Sequence, residues 1–504
     1  SRGLGDVYKR QKYNFRINIK TLKDILYKVA IESIYGNPSL NVSFLSFDTR
    51  TIQKNSLYIA KRGLRFDGHE FIPEAIEKGA IAIVCEEIPK KIDKNIVYVL
   101  VRNTSKAIGI LASNYYDNPS KRINLVGITG TNGKTSITSL LYELFTNQGY
   151  NCGLLSTVKI QYGKKIIKNS HTTPDALALN KHLHNMVKLG LNHCFMEVSS
   201  HGIDQYRIEG LSFSAGVFTN LTHEHLDYHG NFKNYRDTKK LFFDTLPRNA
   251  FALTNLDDKN GVFMLQNTKA KKYTYSLKQN ADFVAKLLES QFSGMLIKIK
   301  NKEVWTSLVG NFNLQNLLAV YAVAELFNLS QLDILKQISS LNSVEGRFQT
   351  FQTPKDITVI IDYAHTPDAL ENVLGTINTI RTRNETLITL LGCGGNRDQE
   401  KRPLMGHTAA KYSDKVIFTS DNPREEDPGQ IISEMVMGVS EEHFKKILKI
   451  TLREEAIAMA DQLAREGDIV LIAGKGHETH QEINGRYYPF SDIQVAKKIF
   501  LKTD

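Results

Sequence analysis

The stretch Gly127-Ile128-Thr129-Gly130-Thr131-Asn132-Gly133-Lys134-Thr135 constrains this chain most, because it sets a glycine-rich turn between an apolar run and an amphipathic one. Before it, Ile123, Leu125, Val126 and Ile128 read as a buried strand; after it, Ile137, Leu140, Leu141, Leu144 and Phe145 recur at helical spacing. A strand, a glycine turn and a helix in that order aim backbone N–H groups and the positive end of a helix at one spot. Lys134 can reach terminal phosphates there, and the Thr135 hydroxyl can hold Mg²⁺. The common phosphate-loop spacing wants glycine where Ile128 stands, and Gly127 lies one residue further back. A glycine turn of structural use only is the alternative, and Lys134-Thr135 at the helix start favours the nucleoside triphosphate cradle.

A chain of 504 residues exceeds what one core holds, so about three domains are expected. The net charge of +11 comes from 64 Lys and Arg against 53 Asp and Glu, a diluted excess that suits anionic small substrates. Without a basic run or an aromatic-interleaved basic patch, a nucleic-acid partner is not expected. Cys85, Cys152, Cys194 and Cys393 form no CxxC pair, which argues against a disulfide framework or a zinc ribbon and fits a reducing setting. No apolar stretch approaches the ~18 residues that span a bilayer and no secretory leader is read, so a soluble, cytoplasmic protein, without a membrane partner, is expected. Ser1-Arg2-Gly3-Leu4-Gly5-Asp6 has no apolar period and carries no fold expectation.

Residues 14–119 read as a small α/β domain with a helix over Ile72 to Lys78 and a strand over Ala80 to Cys85. Polar loops cluster at Phe47-Asp48-Thr49-Arg50 and at Gly63-Leu64-Arg65-Phe66-Asp67-Gly68-His69, where Asp67-Gly68 is most simply a turn. Residues 120–344 form the second domain. In it, His171-Thr172-Thr173-Pro174-Asp175 opens a helix, by capping or as a ligand loop. Cys194-Phe195-Met196-Glu197-Val198 is an apolar strand carrying one carboxylate. Such an acid needs a partner, and beside a phosphate loop a metal is the usual one. After the strand Ala215 to Leu221 come His223, Glu224, His225, Asp227 and His229, without the H-E-x-x-H spacing of a zinc helix.

Tyr235, Lys239 and Phe242 recur at i, i+4 and i+7, which puts the lysine on the aromatic side of a helix whose other face carries Arg236, Asp237 and Lys240. A buried ammonium loses solvation and titrates low, so its free amine can take up CO₂ as a carbamate. That anion could orient Mg²⁺ beside Glu197 and His225. Snorkelling of Lys239 to solvent is the plainer reading of periodicity alone. Further on, Asn313 and Asn316 open a Leu/Ala helix, where amides can read an adenine edge or cap, and a hinge is expected at Ser343-Val344-Glu345-Gly346-Arg347 with Arg347 facing the cleft.

In the third domain, 345–504, the pattern from Asp356 onward is strand, loop, helix, repeated, as in a doubly wound parallel sheet. The strands Ile357 to Ile361, Leu387 to Leu391, Val416 to Thr419 and Ile469 to Ala473 each run into a polar loop: Asp362-Tyr363-Ala364-His365, Gly392 to Asp398, Ser420-Asp421-Asn422-Pro423-Arg424 and Gly474-Lys475-Gly476-His477-Glu478. Ligands bind off the carboxyl ends of such strands, so the four loops are expected to converge on one.

Taken in order, the phosphate loop, Glu197-Val-Ser-Ser-His, His225-Leu-Asp-Tyr-His, Asn313-x-x-Asn316, Gly346-Arg347 and Asp362-Tyr363-Ala364-His365 resemble the Mur ligases of peptidoglycan synthesis over nearly the whole chain. Within that family Thr172-Thr173-Pro174, Asp421-Asn422-Pro423-Arg424 and Gly474-Lys475-Gly476-His477-Glu478 are most similar to members that add diaminopimelate as the third peptide residue. The resemblance implies an α/β protein of three domains, the central sheet parallel and ATPase-like, the C-terminal one doubly wound, acting as a monomer on ATP and Mg²⁺. Gly130, Thr131, Asn132, Gly133, Lys134, Thr135 and Ser136, with Asn313, Arg347, Asp362 and His365, would bind ATP. Thr135, Glu197 and His225 would serve the metal, with Lys239 carbamylated. Lys134, Lys239, His225 and Glu197 would carry catalysis. Phe47, Thr49, Leu64, Arg65 and Phe66 would contact a uridine nucleotide, and Thr172, Thr173, Ser199, Gln205 and Arg207 its muramoyl dipeptide. Arg397, Asp421, Asn422, Pro423, Arg424, Gly474 and Glu478 would grip diaminopimelate. Thr49 and His223-Glu224 depart from the usual Ser and Arg/His-Asp of the family. L-Lysine as the added residue, a folylpolyglutamate synthase-like ligase and a non-catalytic nucleotide-gated binding protein remain the competing readings.

Overall fold

The computed structural model describes residues 19–63, 66–169 and 171–502. The chain forms two compact units: one of residues 19–122, 174–188 and 204–211, the other of 123–173, 189–203 and 212–502. In the first unit a five-stranded sheet runs in the order Ile31–Tyr35, Val97–Val101, Ala80–Cys85, Ser56–Ile59, Phe44–Ser46. Its first pair is antiparallel and the rest parallel. The helix Thr104–Tyr115 buries Ile108 and Leu111 with Leu57, Ile59, Val84 and Val99 of the strands. Apolar residues on one helix stripe and in β-rich runs fix this layer, as their periodicity predicts.

The second unit holds two larger sheets. In the eleven-stranded one, Cys152–Leu155, His193–Glu197, Asn124–Thr129, Ala215–Phe218, Phe251–Asn255, Lys271–Ser276 and Phe283–Gln291 are successive parallel neighbours. Antiparallel strands extend both ends, the hairpin of Lys159–Tyr162 and Lys165–Lys168 at one and Gly294–Ile299 with Lys302–Thr306 at the other. The helix Lys134–Asn147 packs Ile137, Leu140, Leu141, Leu144 and Phe145 into this sheet's core. On the sheet's other side the helix Phe232–Asp244 comes so near that a Cβ on Gly127 would meet Phe242 Cζ at 2.6 Å.

The six-stranded sheet runs Gln349–Gln352, Thr358–Asp362, Ile469–Ala473, Leu387–Leu391, Lys415–Phe418, Ile447–Lys449, parallel except for the first strand. The four strands read from the sequence are present with end shifts of one residue at most. The repeat of strand, loop and helix is broken once: after Ile469–Ala473 the chain makes a hairpin, His480–Ile483 with Arg486–Pro489, before the helix Asp492–Phe500. Its two-residue turn is Asn484-Gly485, both at positive φ (48° and 71°), the sequence and conformation a tight hairpin requires.

Candidate active site

The phosphate loop is held open by its neighbours. Gly130 (φ 148°) leaves no room for a Cβ, which would overlap Thr219 Oγ1, and Gly133 (φ 86°) caps the helix Lys134–Asn147. Asn220 accepts from the backbone N–H of Thr131 through its carbonyl and from that of Asn132 through its side chain, both at 2.8 Å. Lys134 Nζ curls back to donate to Gly130 O (2.9 Å) and Thr131 O (2.7 Å), so its charge sits in the mouth of the loop.

Glu197 ends its strand fully buried beside that loop. Its Oε1 accepts from Thr135 Oγ1 (2.9 Å) and Thr157 N–H (2.7 Å), and its Oε2 from Thr157 Oγ1 (3.0 Å). Hydroxyl and amide donors therefore already serve the desolvated carboxylate. A carboxylate and a threonine hydroxyl side by side also suit Mg²⁺, which takes one or two protein oxygens and fills its other positions with phosphate and water. His225, the third metal residue expected, stands at φ 56° with its Nε2 3.7 Å from Glu224 and its ring 4.7 Å from that of His201. Among the described residues no group of three or more His, Cys, Asp or Glu is placed to hold a metal. Burial brings His225 down to about 4, so its ring is neutral near pH 7.

Lys239 does not snorkel. It is 1% exposed, its Nζ donates to Gly130 O (2.9 Å) and lies 4.8 Å from the Tyr235 ring centroid. Burial pulls its pKa well below the lysine range and Lys134 pulls further, with Glu224 opposing. Burial thus favours the neutral amine over the ammonium at the foot of the phosphate loop.

Facing the loop across a cleft are Asn316, Arg347, Asp362, Tyr363 and His365. The Arg347 guanidinium stacks 4.5 Å from the Tyr363 ring, with Nη2 3.5 Å from Thr135 Oγ1, so the hinge arginine does face the cleft. Asp362 braces the turn it belongs to: its Oδ2 accepts Phe348 N–H and its Oδ1 Ala364 N–H, both at 2.7 Å. Asn132 Nδ2 donates to Asp368 across the same cleft (3.1 Å). Of the two helix-opening asparagines, Asn313 is turned inward, its amide donating to Val309 O and its oxygen accepting from Asn316. Asn316, rather than Asn313, lines the cleft. Glu224, to which the sequence assigns no role of its own, lies 3.3 Å from His365 Nε2.

The loops at the carboxyl edge of the six-stranded sheet converge as expected. Asn422 Nδ2 donates to Glu478 Oε2 (2.8 Å), while Lys475 Nζ, 0% exposed, donates to both Asn422 Oδ1 (3.0 Å) and Glu478 Oε2 (2.8 Å). Glu478 therefore already carries an ammonium partner from the protein. Gly474 (φ 109°) lies against Asp421, whose Oδ2 would be 2.8 Å from a Cβ there, and Gly395 lies under Pro423, whose carbonyl a Cβ would overlap. Arg424 pairs with Glu482 and Gly395 O, and Arg397 is exposed on the glycine loop.

Thr172, Thr173 and Ser199 join the Glu197 network. Thr157 Oγ1, whose hydrogen goes to Glu197, lies 3.1 Å from the Thr172 hydroxyl, Thr173 Oγ1 donates to Glu197 O (3.0 Å), and Ser199 N–H donates to Thr173 Oγ1 (3.0 Å). Thr157 is the residue of this network that the sequence does not signal. In the other unit, Gln205 Oε1 accepts from Arg207 Nε (3.2 Å) and Nη2 (2.8 Å), and Lys61 Nζ lies 5.9 Å from the Phe47 ring centroid. Burial, then Arg207, lowers the pKa of Lys61. Thr49 starts a short 3₁₀ turn capped by Asp48, and Phe66 is 71% exposed. Leu64 and Arg65 lie outside the described residues. No helix among the described residues is long and apolar enough to cross a membrane.

Residues 128–324 match the Mur ligase middle domain, 346–476 the Mur ligase glutamate ligase domain and 41–116 the Mur ligase family catalytic domain. A UDP-N-acetylmuramoyl-L-alanyl-D-glutamate–2,6-diaminopimelate ligase of Cytophaga hutchinsonii is 50% identical over 479 residues, covering 95% of this chain and 98% of its own. A solved structure of a ligase of the same description is 31% identical, with TM-score 0.68, and covers 95% of this chain and 98% of its own. A folylpolyglutamate synthase of Thermotoga maritima shares the fold at 14% identity and TM-score 0.56, over 73% of this chain and 90% of its own.

Proposed function

The chain belongs to the Mur ligase family, an ATP-dependent ligase by that membership, and we propose that it joins meso-2,6-diaminopimelate to the D-glutamyl γ-carboxylate of UDP-N-acetylmuramoyl-L-alanyl-D-glutamate in peptidoglycan precursor synthesis. The observation that carries the reading is the 50% identity, end to end, with a ligase named for that reaction. The folylpolyglutamate reading is weaker, because that likeness leaves about a quarter of the chain unmatched. In the proposed division, residues 14–119 hold the uridine nucleotide, 120–344 ATP and 345–504 the amino acid.

A carboxylate resists an amine because it is anionic and lacks a leaving group. One carboxylate oxygen therefore attacks the γ-phosphorus of ATP, forming an acyl phosphate and releasing ADP. Lys134, in the mouth of the phosphate loop, offsets charge on the transferring group, and Arg347 approaches the same place from the opposite wall. Thr135 and Glu197 would hold Mg²⁺, which supplies charge neutralisation to the phosphates when bound. Lys239, converted to a carbamate by CO₂ with loss of one proton, would turn a buried amine into an anion near that ion. The neutral amine of the amino acid then attacks the acyl carbon, and the tetrahedral intermediate expels inorganic phosphate as the nitrogen loses its proton. Asp421, Asn422 and Glu478 would orient the amino acid, and Arg424 would receive its distal carboxylate.

The test is phosphate release from ATP with UDP-muramoyl-dipeptide and meso-diaminopimelate, each omitted in turn, beside L-lysine and a folate with glutamate. Release that requires both UDP-dipeptide and meso-diaminopimelate is expected. Release with folate and glutamate, or none with the UDP-dipeptide, would overturn the reading.

A further inference from the structure

The hairpin His480–Ile483/Arg486–Pro489 lies outside every motif of the site, yet it is laced to the loop Ser420-Asp421-Asn422-Pro423-Arg424 along its length. Arg424 N–H donates to Glu482 O (3.0 Å) and Asn484 N–H donates to Arg424 O (2.7 Å), on either side of the bridge between Arg424 and Ile483. Glu482 N–H donates to Asn422 Oδ1 (3.0 Å), and Gln481 Nε2 donates to Asp421 O (2.6 Å). Arg424 itself stands at φ 53°, a conformation a non-glycine residue keeps only where its surroundings over-determine it.

The side chain is fixed as firmly as the backbone. Glu482 Oε2 accepts from Arg424 Nε (3.0 Å), and Gly395 O accepts from Nη1 (2.7 Å). Gly394 is close enough that a Cβ there would meet Nη1 at 3.0 Å. Nη2 has no partner among the described residues. An arginine fixed at Nε and Nη1 presents its remaining donors in one direction, whereas a free one samples many rotamers and loses that freedom on binding.

We propose that Glu482 is the positioning residue that sets amino-acid specificity: it aims Arg424 so that the open corner of the guanidinium meets the distal carboxylate of the incoming amino acid. This rests on the reading of that amino acid as meso-diaminopimelate. Glu482 also partly neutralises Arg424, so the loop attracts a carboxylate through geometry more than through bare charge.

The experiment measures KM and kcat for meso-diaminopimelate and for L-lysine, and KM for ATP and UDP-dipeptide, in wild type, Glu482→Met and Glu482→Gln, with melting temperatures alongside. Methionine keeps the volume without an oxygen; glutamine keeps an oxygen that can accept from Nε. Glu482→Met should raise KM for meso-diaminopimelate about tenfold and erode its preference over lysine by a similar factor, the scale of one side chain's lost ordering. Its kcat and the other two KM values should stay within about twofold, and Glu482→Gln should recover most of the loss. Wild type that uses lysine as well as meso-diaminopimelate overturns the substrate reading and this role with it. A selective wild type beside an equally selective Glu482→Met, or a variant in which all three KM values rise together, overturns the role of Glu482 alone.

Discussion

Glu224 Oε1 stands 3.3 Å from His365 Nε2, one residue from the loop after Ala215–Phe218 and the other from the loop after Thr358–Asp362. The pair thus ties together the two walls of the cleft lined by Asn132, Arg347 and His365. His365 Nδ1 lies 2.9 Å from Tyr363 O, so both ring nitrogens face oxygen. Burial would raise the Glu224 pKa, but the hydrogen bond from His365 and the charge of Lys134 oppose it, and the carboxyl is held well below the usual range.

Glu224→Gln keeps the volume and removes the charge. A charge-assisted hydrogen bond is worth about 1.5–3 kcal/mol, so kcat/KM for ATP should fall roughly 10–100-fold. Binding of the UDP-dipeptide, assigned to another part of the chain, should be unchanged. Steady-state kinetics with ATP varied would decide it, and ATP parameters like those of wild type would dissociate the pair from cleft closure.

Lys239 makes stability and activity respond oppositely. Its folded pKa is lowered by burial, reinforced by Lys134, so the unfolded chain binds this proton more tightly. Stability from this group therefore rises with pH across the window from the lowered folded value to about 10.4, where an ordinary lysine titrates. In CO₂-free buffer Lys239→Met should melt higher than wild type at pH 7 and show a shallower rise towards pH 9. Lys239→Ala should lose ligase activity by ~100-fold or more and regain part of it with short carboxylic acids that stand in for a carbamate. Normal turnover in Lys239→Ala would remove the carbamate from the mechanism.

Arg453 and Asp492 form a bidentate pair with both side chains 0% exposed, at 2.7 Å for each contact. Arg453 also donates to Ala473 O (2.9 Å) and Ser420 O (3.4 Å), where two of the loops proposed to hold the amino acid start. Removing one partner leaves the other charge buried alone, so Arg453→Ala should cost about 3–5 kcal/mol in urea unfolding. A loss under about 1 kcal/mol would mean that water or another cation reaches Asp492.

The parallel strands and the phosphate loop were legible because their signals are local: Ile469–Ala473 is an uninterrupted apolar run, and Lys134-Thr135 must open a helix to be useful. Lys239 was half legible, since its period placed it on the aromatic face but could not decide between burial and snorkelling; packing of the helix against Gly127 decides that. Asn313 and Asn316 were indistinguishable in sequence, because which amide faces the cleft depends on the helix's rotation in the fold. Thr157 carries no motif and Glu224 showed only as one member of a His/Glu/Asp cluster, because their partners Glu197 and His365 stand 40 and 141 positions away. The hairpin bearing Glu482 has a local signal in Asn484-Gly485, a two-residue turn pair that runs against the strand-helix repeat around it.

In the proposed reading, selection of the amino acid turns on Arg424. Meso-diaminopimelate differs from L-lysine by one distal carboxylate, and a guanidinium held at Nε by Glu482 and at Nη1 by Gly395 has Nη2 to offer it. With lysine bound, that half-buried cation would stay desolvated without a substrate anion, which penalises the wrong amino acid more than a missing apolar contact would. A lost charge-assisted contact of this kind costs roughly 2–5 kcal/mol, so wild type should prefer meso-diaminopimelate by at least about 30-fold in kcat/KM. Arg424→Ala should collapse that preference mainly through KM. Gly395→Ala, whose Cβ would overlap Pro423 O, should displace the same loop and weaken meso-diaminopimelate binding while the arginine is still present. Parallel kinetics on the three proteins with both amino acids decide it: an unchanged preference in Arg424→Ala places the carboxylate elsewhere, and full selectivity in Gly395→Ala shows that the loop's placement does not control the arginine.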